Sequence, residues 1–189
     1  MIIQVNEQLL LRTYLPEDAP ELFQCVSDNR AHLREFLPWV DITLKEADSA
    51  TFIEITGDQE RDQKAIAMGI FLNGQLIGGI GMHEWNHSLK KCQIGYWLAE
   101  QQQNKGYMYR SAVAFLDFLF NQLGMNKVEI CFLPFNTRSG TLAQKLNAKV
   151  EGVLRHNCRL HGSFEDTVIA GILSSEWKMR KPDPDQPPR

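Results

Sequence analysis

The chain has 189 residues, 43% hydrophobic and 23% charged, which suits one globular domain with a sizeable core and leaves too little chain for two. Its formal net charge of -3 at pH 7 provides no overall basic field for nucleic acid or an anionic membrane. MIIQVNEQLL at the start has neither a basic n-region nor a signal-length apolar core, and no apolar run reaches membrane-spanning length, so a cytoplasmic protein is expected.

Leu9–Tyr14 reads as a short apolar strand. Pro16, Glu17 and Asp18 open a helix running to about Ser27, with acidic residues in its first turn. A second helix is expected over Ala31–Phe36, stopping before Pro38, and a third over roughly Leu44–Asp58 with Thr43 as its N-cap. Ala65–Leu72 and Gln75–Trp85 are strands joined by the hairpin signal Asn73-Gly74, with Gln93–Leu98 as a third strand beside them. From about Tyr107, the apolar positions Met108, Ala112, Phe115, Leu116, Leu119 and Leu123 recur at helical spacing, and Gly124 ends that helix. Lys127–Leu133 is a strand and Asn136–Leu146 a short helix; Val150–His161 and Phe164–Leu173 are strands joined by a tight turn at Gly162. A strand–helix–strand unit predicts two parallel strands and a right-handed crossover, so the whole reads as a mixed α/β domain and not a doubly wound one. One domain is expected over residues 1–177. The Pro-rich segment 178–189, ending KPDPDQPPR, is expected to be disordered.

Between the meander and the long helix lies AEQQQNKGYMYRS (Ala99–Ser111), where a polar run meets Gly106 at a helix start. A helix N-terminus offers unpaired N–H groups and a partial positive charge, so an anion fits there, and Lys105 and Arg110 add charge beside it. Taken alone, a single glycine in a polar loop reads as a plain turn, and neither a Walker loop nor a dinucleotide fingerprint is present. Cys25, Cys92, Cys131 and Cys158 lie far apart, with no CxxC pair and no histidine at ligand spacing, so reduced thiols and no metal site are expected.

QNKGYM (Gln103–Met108) resembles the Q/R-x-x-G-x-G/A signature of the GNAT superfamily, which holds the pyrophosphate of acetyl-CoA; Met108 stands where Gly or Ala is usual. QIGYWLAEQQQNKGYM is similar to the strand and loop of the RimJ/RimL branch, the N-terminal acetyltransferases of ribosomal proteins, in which a larger residue often follows the glycine. FNTRSGTLAQKLNAKVEGVLR resembles that branch's N-x-x-S segment, helix and L-G-F-x-x-E-G turn, with Asn147 in place of glycine, a residue that also enters the left-handed region. LREFLPWVD resembles its early L-x-x-W-L-P-W segment. The resemblance covers about residues 8–176. It implies a GNAT-type α/β (α+β) fold: a central mixed, mostly antiparallel sheet of about seven strands, splayed between the fourth and fifth, with helices on both faces. Those two strands are here Gln93–Leu98 and Lys127–Leu133.

The resemblance further implies acetyl-CoA as cosubstrate and a primary amine as acceptor, first of all a protein N-terminal α-amine, in a ternary complex without metal. The pantetheine arm would pair with Tyr96, Trp97 and Leu98, and the pyrophosphate would rest on backbone N–H groups of Gln103, Asn104, Lys105, Gly106, Tyr107 and Met108. Asn136 would bond the pantetheine or cap the next helix. Ser139 is the candidate to protonate the leaving thiolate; its alternative is a first-turn serine bonding nearby backbone. The branch's glutamate base falls at Cys158, which makes Glu84 the candidate base acting through a water, or else an exposed strand-end carboxylate; His83 and His156 stand behind it. Trp97 is expected in the core and Tyr96 is left open, while Trp39 and the Gly162 hairpin would flank the acceptor. Two other functions stay open: acetylation of a small amine, such as an antibiotic, a polyamine or an amino-acid derivative, and a non-catalytic acyl-CoA binding module. Relatives include dimers, which allows a homodimer.

Overall fold

Leu9 and Leu11 are fully buried, whereas Leu10 between them and Arg12 after them are half-buried, the period-two pattern of a strand with one face on a core. That strand belongs to a single eight-stranded sheet in this computed structural model, which describes residues 1–179. The strands are β1 (Ile2–Gln4), β2 (Leu9–Thr13), β3 (Ile66–Leu72), β4 (Gln75–Asn86), β5 (Lys91–Leu98), β6 (Lys127–Phe132), β7 (Lys149–Leu160) and β8 (Ser163–Leu173), ordered β1-β2-β3-β4-β5-β6-β8-β7. The strand beyond the expected seven is β1, an edge piece whose Ile2 pairs with Arg12; three residues are too few for periodicity to reveal. Every pairing is antiparallel except β5 with β6.

The helices are α1 (Ala19–Asp28), preceded by a 3-10 turn at Pro16–Asp18, then α2 (Arg30–Arg34), α3 (Glu46–Arg61), α4 (Tyr107–Asn121), α5 (Thr137–Lys145) and α6 (Ser174–Lys178). Helix α6 carries the fold one residue past the expected boundary at Trp177, and the expected disorder of Lys181–Arg189 lies outside the described residues. Thr43 is not the cap of α3. That helix starts at Glu46, the Asp48 carboxylate accepts the N–H groups of Leu44 and Lys45, and the Thr43 hydroxyl donates to the Trp39 carbonyl. The orphan donors are met from inside the first turn, so the flanking threonine is not needed there. Among the described residues no helix is long and apolar enough to cross a membrane.

Helix α4 buries Ala112, Val113, Phe115, Leu116 and Leu119 against Met68, Ile80, Ile94 and Val128 on one face of the sheet. On the other face, Leu22, Val26, Leu33 and Ile53 from α1–α3 pack on Phe71 and Leu76. Phe71 follows Ile70 of the first cluster, and that alternation separates the two cores.

The pairing of β5 with β6 is short: Lys91↔Lys127, Cys92↔Val128, Gln93↔Glu129 and Ile94↔Ile130, after which the strands part. Directly opposed lysines repel each other, and Glu129 resolves this by placing its carboxylate 3.1 Å from Lys91 Nζ and 2.9 Å from Lys127 Nζ. Burial alone would raise the Glu129 pKa; the hydrogen bonds from Lys127 and Lys91 outweigh it and hold the carboxyl below its ordinary value. A carboxylate with a depressed folded pKa stabilises the fold above its unfolded value and loses that contribution as pH falls through the folded one. Glu129→Ala is therefore expected to cost about 3 kcal/mol at neutral pH by leaving the two lysines opposed. The gap between wild type and variant should persist down to the free-glutamate value of 4.5 and then shrink, as urea titrations at descending pH would measure.

Candidate active site

Beyond Ile94, residues Gly95–Leu98 keep their pairing to β4 (Gly95↔Gly81 to Leu98↔Gly78) and have no partner on the β6 side. Extended backbone with one unpaired edge is a template for a ligand that carries amides of its own. A cleft of about 390 Å³ occupies this parting. Because β5 and β6 run parallel and each is followed by a helix, α4 and α5 both begin at its rim, with their N–H ends converging on it.

The loop into α4 is fixed by its backbone. Ala99 N–H donates to the Ile77 carbonyl and Glu100 N–H to Asn29 Oδ1, each at 2.8 Å. Asn104 (φ 60°) and Gly106 (φ 76°) are left-handed, and Gly106 is the N-cap of α4. A Cβ on Gly106 would lie 3.0 Å from Arg110 Nη1. The glycine thus serves the turn and makes room for a guanidinium behind the loop, which donates from Nη2 to the Lys105 carbonyl at 3.3 Å and lies 5.3 Å from the centre of the Tyr107 ring. Arg110 Nε is buried with no hydrogen-bond partner among the described residues.

Across the cleft, Asn136 caps α5 by accepting the Ser139 N–H at 3.1 Å. The buried Ser139 hydroxyl is 2.8 Å from the Tyr96 hydroxyl, a hydrogen bond that joins β5 to α5 over the gap. Burial pushes the Tyr96 pKa up to about 12 against the opposing pull of the Ser139 bond, so the phenol keeps its proton at neutral pH. Helix α2 and the turn after it give the third wall. The Gln103 amide meets His32 Nε2 at 2.5 Å, and the Phe36 ring sits 6.1 Å from that of Phe135. The charged or protonatable nitrogen groups in the lining are His32, Arg138 and Lys145, and no carboxylate is among the lining residues.

Trp97 is both wall and core: it lines the cleft, lies over Gly79, where a Cβ would come within 2.5 Å of its Nε1, and meets Trp39 edge-on at 6.1 Å. The Trp39 segment and the Gly162 hairpin touch each other. His161 Nε2 donates to the Arg34 carbonyl at 2.9 Å, and its Nδ1 is 3.7 Å from Asp41, which Arg34 grips at 2.5 and 3.2 Å.

The structure brings Tyr96, Trp97, Leu98, Gln103, Asn104, Gly106, Tyr107, Met108, Asn136 and Ser139 together around the one cleft. Lys105 is not in its lining; its Nζ donates to Gln102 Oε1 at 3.2 Å, and its carbonyl braces Arg110. Glu84 is not brought there either. It is exposed at φ 52° where the β4–β5 register breaks between His83 and Asn86, and the bulge carries it off the regular pleat. His83, His156 and Cys158 also lie outside the lining, His156 within the break in the β7–β8 register between Leu154 and Cys158 and Cys158 at its end. Sequence reasoning missed the α2 wall, whose residues arrive by tertiary contact alone. It also missed Arg138, Thr141 and Lys145, although their i, i+3, i+7 spacing on α5 was a readable stripe.

The sequence pattern of the family described as Acetyltransferase (GNAT) domain matches residues 8–149. A putative ribosomal N-acetyltransferase, YdaF of Bacillus subtilis, is 28% identical over 94% of this chain and 98% of its own length. The ribosomal-protein-serine acetyltransferase of Escherichia coli is 25% identical over 92% and 98%. Among solved structures, RimL, a ribosomal L7/L12 alpha-N-protein acetyltransferase in complex with coenzyme A, superposes with a TM-score of 0.89 at 23% identity, covering 93% of this chain and 99% of that one.

Gly106→Val tests the loop. A β-branched residue at φ 76° against Arg110 must distort the turn, at a cost of about 1–3 kcal/mol. Titration calorimetry is expected to show coenzyme A binding weakened more than tenfold, with the far-UV spectrum unchanged.

Proposed function

The chain belongs to the GNAT acetyltransferase family, and from that premise we propose that it transfers the acetyl group of acetyl-CoA to a protein N-terminal α-amine of the ribosomal-protein kind. The observation that carries this reading is the Tyr96–Ser139 hydrogen bond across a cleft without carboxylates, at the meeting point of two helix N-termini. The residues present fit acetyl-CoA on three counts: an unpaired strand edge for the amides of its arm, a left-handed loop at a helix start for its diphosphate, and the unpartnered Arg110 Nε behind that loop.

Bound acetyl-CoA supplies an acetyl thioester, and attack by a neutral amine forms the amide C–N bond as the C–S bond breaks. The chain's part is to position and to hold protons. Backbone of Tyr96–Leu98 orients the arm, Ser139 Oγ gives its proton to the departing sulfur, and the proton that the attacking nitrogen loses returns through solvent to restore the Ser139 hydroxyl. Tyr96, its hydroxyl protonated, orients Ser139 and shares its proton. No carboxylate lines the cleft, and His32 there has its Nε2 engaged by the Gln103 amide, so in this reading the acceptor arrives neutral, which suits an α-amine with a pKa near 8.

Release of free thiol from acetyl-CoA is measured with N-terminal peptides, polyamines and aminoglycosides as acceptors. Turnover on peptides blocked at lysine but free at the N-terminus supports the reading. Preference for a polyamine or antibiotic replaces the acceptor, and tight coenzyme A binding without turnover on any amine leaves a binding module. Ser139→Ala is expected to lower kcat about 100-fold with the KM for acetyl-CoA nearly unchanged. Since the Tyr96 pKa is raised to about 12, the kcat/KM profile should rise with deprotonation of the acceptor and show no descending limb below about pH 10.

A further inference from the structure

Helix α3 does not hide its apolar residues as α4 does. Ser49 and Ile53 are its buried positions, while Phe52 and Ile55 are 43% and 49% exposed. Asp48, Phe52 and Ile55 fall at i, i+4 and i+7, so they share one flank of the helix. Two contacts carry that flank beyond the helix itself. The Tyr14 ring meets Phe52 edge-on at 5.8 Å, and Leu15, exposed, leads from Tyr14 into the Pro16–Asp18 turn that packs on α3. The Asp48 carboxylate accepts the N–H of Leu44 at 2.9 Å, and the Leu44 side chain is 69% exposed. The helix is acidic along its length: residues 46–60 hold Glu46, Asp48, Glu54, Asp58 and Glu60 and no lysine or arginine. Of these carboxylates only Asp58 takes part in an ion pair among the described residues, with Arg61.

An exposed apolar strip on an acidic helix narrows what can cover it. The carboxylates repel an anionic lipid surface, and a second copy laid face to face would oppose acid to acid. A basic amphipathic helix satisfies both features, with its apolar side on Leu44, Phe52 and Ile55 and its cations beside the free carboxylates. We propose that this flank of α3 docks such a helix of the acceptor protein, downstream of the N-terminus that enters the cleft. That the partner is the acceptor rests on the transfer to protein N-termini proposed above. The flank is also joined to the cleft through the chain: Leu44 lies five residues after Trp39, whose ring meets the lining residue Trp97. Arg30 of α2 holds the segment between them by donating to the Thr43 carbonyl. Docking at a distance raises the local concentration of the N-terminus at the cleft, so it acts on the acceptor's KM and leaves kcat alone.

Three synthetic acceptors with one common free N-terminal leader test the inference: the leader alone, the leader followed by an amphipathic helix of leucine and arginine, and the same helix with glutamate for arginine. Thiol release at low salt is expected to give the arginine helix a KM about tenfold below that of the leader alone, with kcat unchanged and the advantage shrinking at high salt. Leu44→Ser combined with Ile55→Ser should return that KM to the leader's value, with turnover of the leader and the melting temperature unchanged. Glu54→Lys should raise the KM of the arginine helix and lower that of the glutamate helix. Equal KM for the leader and the arginine helix, a glutamate helix as good as the arginine one, or no response to the Leu44 and Ile55 changes overturns the docking surface and leaves transfer to N-termini standing. Self-association of the full chain in sedimentation velocity that Ile55→Ser abolishes overturns it in favour of a second copy. Turnover of none of the three acceptors overturns the N-terminal reading and the docking surface together.

Discussion

The site depends on two neighbouring strands that stay together for four residue pairs and then separate. Parallel pairing ends at Ile94 and Ile130, yet β5 remains bonded to β4 on its other side and β6 to β8, so neither strand frays. The separation is held at its base by the Lys91–Glu129–Lys127 cluster, a charge arrangement on the face away from α4, and below it by Val128 and Ile130 in the main core. It is spanned at its mouth by the Tyr96–Ser139 hydrogen bond, which connects the two sides without pairing their backbones. A fully zipped sheet would satisfy those backbone groups internally and leave nothing for a ligand to bond.

Parallel strands decide where the helices go. A strand–helix–strand crossover brings α4 and α5 up to the same end of the sheet, so their unpaired N–H groups and positive dipole ends face one opening. Sequence then adjusts each start for a different purpose. Gly106 turns α4 with a left-handed residue and no side chain, which keeps its first N–H groups open, while Asn136 caps α5 and steers Ser139 into place. Arg110 stiffens the first start from behind by holding the Lys105 carbonyl. The third wall is made rigid from a distance. Arg30 donates to the carbonyls of Val40 and Thr43, and His161 reaches from the β7–β8 turn to Arg34, closing a loop of chain 127 residues apart.

Local chemistry made much of this legible. Asn73-Gly74, the α4 stripe and the left-handed Asn147 are nearest-neighbour effects, and the structure reproduces them with shifts of one or two residues at element ends. The cradle was legible only through its surroundings, since one glycine in a polar loop has many explanations. Gly106 does have a steric reason, but a partly different one from backbone approach: the space is taken by Arg110, four residues on in sequence. The α2 wall could not be read, because nothing local distinguishes His32 or Phe36 from any helix-end residues. Glu84 failed for a related reason. A strand drawn straight through MHEWN points its side chain by alternation, and a positive φ breaks that count.

The distribution of charge bears on which amine the cleft can serve. The chain carries an excess of acids, net -3, yet the lining contains none, and the carboxylate on β6, Glu129, is committed to two lysines. A carboxylate near the thioester would make a good base but would also repel the polyanionic cosubstrate proposed for the cleft, and the observed lining favours the anion. With His32 Nε2 held by the Gln103 amide, deprotonation on the proposed reading falls to solvent, and its cost depends on the acceptor. At pH 7 roughly one α-amine in ten is neutral, against about one in two thousand for a lysine-like amine of pKa near 10.4. On the proposed reading, a site that spends its positive charge on the cosubstrate and has no carboxylate in its lining would favour N-terminal amines by about two orders of magnitude before any contact with the acceptor is counted.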